Sequence, residues 1–84
     1  MDRRRHPRVN VLLPIRLWGV DAHAQPFMQT ASARNISSHG AVIRGVHRQI
    51  RPGEILEVQF GEEQAQFRVV WVGKLGTRRE GEIG

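Results

Sequence analysis

"ILEVQFGEEQAQFRVVW", residues 55–71, decides the fold. In its first half Leu56, Val58 and Phe60 share one face. In its second half Ala65, Phe67, Val69 and Trp71 share a face against Gln64, Gln66 and Arg68. A period of two is the signature of a half-buried β-strand, since successive side chains point to opposite sides of a pleated backbone. The "GEE" at 61–63 between two such runs predicts a tight hairpin. Phe67 and Trp71 are large enough to fill a small core, and burial there is a simpler role for them than base stacking.

Upstream, "RPGE" at 51–54 is a proline-glycine turn that leads into this hairpin. Ala41 to Val46 predicts another strand, and Met28 to Ile36 a weaker one, low in large apolar residues. Val9, Val11, Leu13, Ile15 and Leu17 alternate with polar positions and predict a strand from residue 9. Pro14 has no N–H to give a ladder, so that strand should lie at an edge or carry a bulge. "GVDAHAQPF" at 19–27 and "GKLGTRREG" at 73–81 are turn-rich and predict loops; Glu80 to Ile83 begins a last strand. Five or more strands with short turns and no strong amphipathic helix pattern predict an all-β chain, a small antiparallel barrel.

Eighty-four residues make one small domain. There is no cysteine, hence no disulfide and no thiolate metal site. His6, His23, His39 and His47 are too scattered to read as metal ligands. No run approaches the length of a membrane span, and the basic start leads into alternation rather than a signal-peptide apolar segment, so a cytoplasmic chain is expected. The net charge of +5 is concentrated: residues 1–8 carry Arg3, Arg4, Arg5 and Arg8 against Asp2, and the rest is nearly balanced. All basic residues but Lys74 are arginine, whose planar fork suits bidentate recognition of phosphate and of guanine edges. Catalysis is not expected. Ser37, Ser38 and His39 are chain neighbours, not a nucleophile with a spatially opposed base, and no carboxylate pair or phosphate-cradling loop stands out.

Two clusters complement each other. "RRRHPRVNVLL" at 3–13 offers guanidinium charge just before the first strand. "RNISSHGAVIR" at 34–44 offers an amide, a hydroxyl and a glycine turn spaced Asn35-x-Ser37-x-x-Gly40. Simple alternation puts Asn35 and Ser37 on one face with Ile36 anchored on the other. Gly40 permits a positive φ or a close approach of ligand to backbone. Pro7 favours an extended His6, so Arg4 and Arg8 are separated by roughly 10 Å or more rather than stacked on a helix.

Arg4-x-x-x-Arg8 followed about thirty residues later by Asn35-x-Ser37-x-x-Gly40 resembles the PilZ domain, a bacterial receptor module for the second messenger cyclic di-GMP. The later stretches "GAVIR", "RPGEILEVQF" and "FRVVWVG" look like that family's strands as well. The resemblance implies a six-stranded split barrel over residues 9–84 behind a flexible arginine-rich arm at 1–8. It further implies that Arg4 and Arg8 clamp guanine edges and phosphates, that Asn35 and Ser37 contact the ligand from the barrel surface, and that Gly40 shapes the turn. Arg3 is a further candidate contact and Arg5 a weaker one. The arm would close over the dinucleotide and present a new surface to a downstream protein or tethered domain. No cofactor and no metal is implied. Asn35 stands where many members carry aspartate, which implies a modestly weaker hold on guanine N–H groups. The family often adds a C-terminal helix, whereas these residues stop at "EGEIG", which leaves either a barrel short of a closing element or a piece of a longer protein. Two other readings remain open from sequence: a barrel of this fold that contacts proteins without nucleotide, and a small barrel that binds single-stranded nucleic acid through the basic arm.

Overall fold

The computed structural model describes residues 12–37 and 40–84, with residues 35–37 described by their backbone. Six strands are present among them: β1 Leu13–Val20, β2 Pro26–Ser37, β3 Gly40–Arg44, β4 Ile55–Phe60, β5 Glu63–Arg68 and β6 Glu82–Ile83. No helix occurs in the described residues. All pairings are antiparallel and the spatial order is β5-β4-β1-β2-β3-β6. The first three strands form a meander. The connector at 45–54 then returns β4 to the free side of β1, which is the Greek-key order.

The sheet curls into a half-barrel whose two outer edges are tied together. After Arg68 the chain leaves the β4 ladder. Val69 still exchanges bonds with the β3–β4 connector, donating to the Glu54 carbonyl at 2.9 Å and accepting from the Gly53 N–H at 2.7 Å. Val70 and Trp71 then both donate to the Gly84 carbonyl, Gly84 donates back to Trp71 at 3.1 Å, and Val72 bridges to Ile83. The continuation of one edge strand thus pairs with the other edge, which removes most of the exposed ladder that an open sheet would present.

Inside the curl lie Ile15, Leu17, Phe27, Ala33, Ile43, Leu56, Val69 and Ile83, with Val46 and Ile50 dipping in from the β3–β4 connector. Phe67 and Val58 pack against this cluster, as their alternation predicts. Phe60 shares their phase but stands 41% exposed, because it lies at the hairpin end, beyond the stretch where β1 covers β4. Trp71 does not fill the core. It is half-buried, its indole lies against Gly84, and the Arg79 guanidinium sits 5.3 Å above its ring.

The β4–β5 hairpin forms where expected, with β4 at its expected bounds and a two-residue turn at Gly61 and Glu62, but β5 ends at Arg68, short of the alternation that runs on to Trp71. Elsewhere the ladder is longer than the residue pattern suggests. β1 and β2 pair from Leu13↔Ala33 to Val20↔Pro26, so only residues 21–25 lie outside the strands, and β2, with few large apolar side chains, is the longest strand. It has ladder partners on both sides, and that backbone pairing outweighs its modest propensity. Pro14 also behaves differently from the edge expectation. β1 is an interior strand, yet β4 pairs only with Arg16–Trp18, so Pro14, opposite Ser32, is laddered on one flank alone.

Asp21 closes the β1–β2 turn. Its Oδ1 accepts the N–H groups of His23 and Gln25 at 2.9 and 3.0 Å, and its Oδ2 takes Arg48 Nη1 at 2.8 Å. Short acidic side chains favour turns because they can bond the backbone just downstream. Through Arg48, and through the Ala22 N–H to the Gln49 carbonyl at 2.7 Å, this turn is fastened to the β3–β4 connector.

Candidate functional site

The strand-turn-strand formed by β2 and β3 carries the Asn35, Ser37 and Gly40 motif. The register runs Ser32↔Arg44, Ala33↔Ile43, Arg34↔Val42 and then shifts, so that Ser37 faces Gly40. That shift places one extra residue in β2 between Arg34 and Ser37. A strict period of two does not run through such a bulge, which bends the strand and raises its local twist. The faces expected for the Asn35, Ile36 and Ser37 side chains lie outside the described residues. Gly40 has φ 155°, a conformation that L side chains rarely adopt, and a Cβ built there would meet nothing within 4 Å. Glycine is required at this point by the backbone, not by crowding.

Arg3, Arg4 and Arg8 lie outside the described residues, as do Arg5 and the arm expected over 1–8. Chain connectivity nevertheless constrains them. Leu13, the first residue of β1, is paired with Ala33, two residues before Asn35. Arg8 is five residues upstream of Leu13, a reach of at most about 17 Å.

Three further arginines stand close by. The nearly buried Glu82 carboxylate holds Arg34 Nη2 at 3.2 Å, Arg44 Nε at 3.4 Å and Arg79 Nη1 at 3.3 Å. Arg44 and Glu82 face each other across the β3–β6 ladder, and Arg34 reaches over from β2. One negative charge thus serves three positive ones, leaving a local surplus next to Asn35. The Nε of Arg34 is buried without a hydrogen-bond partner among the described residues. A buried donor in that state is costly unless something satisfies it. Sequence reasoning missed Glu82 and its ring of cations. The signal lay only in the two arginines that bracket "NISSHGAVI", whose partner is some forty residues away.

Among the described residues no group of three or more His, Cys, Asp or Glu side chains could hold a metal ion, and no helix is long and apolar enough to cross a membrane. No curated protein and no solved structure matches this chain. The PilZ domain family model matches residues 2–84, almost the whole sequence, and includes both the arginine-rich start and the Asn35 to Gly40 turn. With this all-β half-barrel and that match together, the chain belongs to the PilZ domain family.

Proposed function

We propose that this domain is a cyclic di-GMP receptor. In this reading Arg4 and Arg8, with Arg3 beside them, grip guanine edges and phosphates while Asn35 and Ser37 contact the ligand from the β2 end and Gly40 holds the turn open. The observation that supports the reading is the Leu13↔Ala33 register, which pairs the first residue of β1, five residues after Arg8, with a residue two positions before Asn35. Family membership supports the ligand class, since the family is known for binding this dinucleotide. The chemistry supports it too: a guanidinium fork matches guanine O6 and N7, and two forks suit a ligand with two guanines and two phosphates. The surplus charge of Arg34, Arg44 and Arg79 around Glu82 adds an attractive field near the end of β2. The domain acts as a non-catalytic regulator in the cytoplasm, with no cofactor, and the closed arm is the surface a downstream protein or tethered domain reads.

Isothermal titration with cyclic di-GMP tests this. The intact domain gives saturable heat, and Arg8→Ala weakens binding by about 1–3 kcal/mol, the worth of one bidentate base contact. No heat with the intact domain, or undiminished binding by Arg8→Ala, overturns the reading. Strong salt-dependent binding of a random oligonucleotide in place of the dinucleotide would assign the arm to single-stranded nucleic acid instead.

A further inference from the structure

At the end of β3 away from Gly40, about 13 Å along the strand by its rise per residue, lies a groove of about 870 Å³ that borders the Glu82 cluster through Arg44 and Glu82 but includes none of the proposed nucleotide contacts. One wall is the β3–β4 connector with His47 and Arg48. The other is the 73–81 loop with Lys74 and Arg78. The floor is apolar, made by Val46, Ile50, Val72 and Ile83 at the barrel mouth. Leu75 stands at the lip, 75% exposed.

Both walls are held in shape. The Gln29 side chain accepts the His47 N–H at 2.9 Å and donates to the Gly45 carbonyl at 2.8 Å. On the other side the Gly76 N–H reaches Glu80 Oε1 at 3.0 Å and the Thr77 hydroxyl donates to the Lys74 carbonyl at 2.7 Å. The Val46 N–H bonds the Gly81 carbonyl at 3.0 Å and joins the two walls. A groove already shaped loses little conformational freedom when something enters it.

The carboxylates of the groove are engaged internally. Glu82 is shared by three arginines, and Glu80 caps the Gly76 N–H. Lys74 and Arg78, by contrast, are exposed, and neither forms an ion pair with a carboxylate among the described residues. The result is a cationic rim over an apolar floor. No Phe, Tyr or Trp lines it, so a nucleic-acid strand would find no stacking platform. Its concavity does not fit a flat bilayer surface.

We infer that this groove docks an acidic peptide segment of a partner protein. Carboxylates of the segment meet Lys74 and Arg78, and an apolar side chain between them seats on Ile50 and Val72 beside Leu75. The site is distinct from the nucleotide motif, and the two assignments stand or fall separately.

The test is fluorescence anisotropy of a short labelled peptide of alternating glutamate and leucine, with a lysine-leucine peptide as its counterpart. The acidic peptide binds and the basic one does not. The double variant Lys74→Glu with Arg78→Glu weakens binding about tenfold or more, because like charges now oppose each other. Its melting temperature is unchanged, since both side chains are exposed and unpaired. Leu75→Ser also weakens binding, which simple ion exchange would not require. Equal affinity of the double variant, no binding by the wild type, or a preference of this rim for oligothymidylate or anionic phosphatidylglycerol vesicles overturns the inference. Cyclic di-GMP titrated on the wild-type protein reports the nucleotide reading independently.

Discussion

Asp21 shows how much one turn residue can fix. Its carboxyl is held below the ordinary aspartate value chiefly by the Gln25 N–H, against the opposing effect of burial, with help from the Arg48 guanidinium and the His23 N–H. A carboxyl with a lowered folded-state value stabilises the fold fully above its unfolded value. That stabilisation is lost as pH falls through the lowered one. Thermal melts across an acid series should therefore show the wild type losing stability below about pH 4, the ordinary carboxylate range. Asp21→Asn should be less stable at neutral pH and have a shallower acid-side slope. An identical slope in the two proteins would remove Asp21 from the account. Nothing in "GVDAHAQPF" marks this aspartate as buried, because its cation, Arg48, lies on a connector that only the Greek-key return brings near.

At the scale of the elements, what was legible followed from contact between chain neighbours. The β4–β5 hairpin could be read at β4 and at its turn, where alternation and turn residues agree, but not at the far end of β5. β2 could be located but not measured, since its length is set by partners on both flanks rather than by its own residues. Its bulge left no mark in the residue pattern, and Trp71 was misplaced because alternation assumes that the strand continues straight past Arg68. In fact the chain turns there from one partner to another. The 73–81 loop then returns so closely that a Cβ on Gly73 would run into the Arg79 carbonyl. Gly73→Ala is expected to destabilise the domain by about 1–3 kcal/mol, the usual penalty of overpacking, measured by urea unfolding. A neutral effect would mean that this loop yields freely.

For the whole molecule, the decisive feature is that edges distant in sequence are clasped together. Glu82 gathers cations from β2, β3 and the last loop at the same seam where Gly84 pairs with Trp71. Glu82→Gln keeps the shape but leaves three guanidiniums around a neutral amide. Because the arginines are partly solvated, the expected loss is about 1–3 kcal/mol, below that of a fully buried pair. A lower urea midpoint at unchanged slope would show it. The β2–β3 turn that carries the motif was legible because spacing within a turn survives in the sequence, whereas the Arg34, Arg44, Arg79 and Glu82 cluster exists only once the seam has formed.

That seam also sets an order of events during synthesis. β6 is two residues long and comes last, so five strands leave the ribosome before the chain that joins their edges does. Until residues 82–84 are paired, the sheet has two unjoined borders and a greasy inner surface open to solvent, the kind of intermediate on which chaperones act.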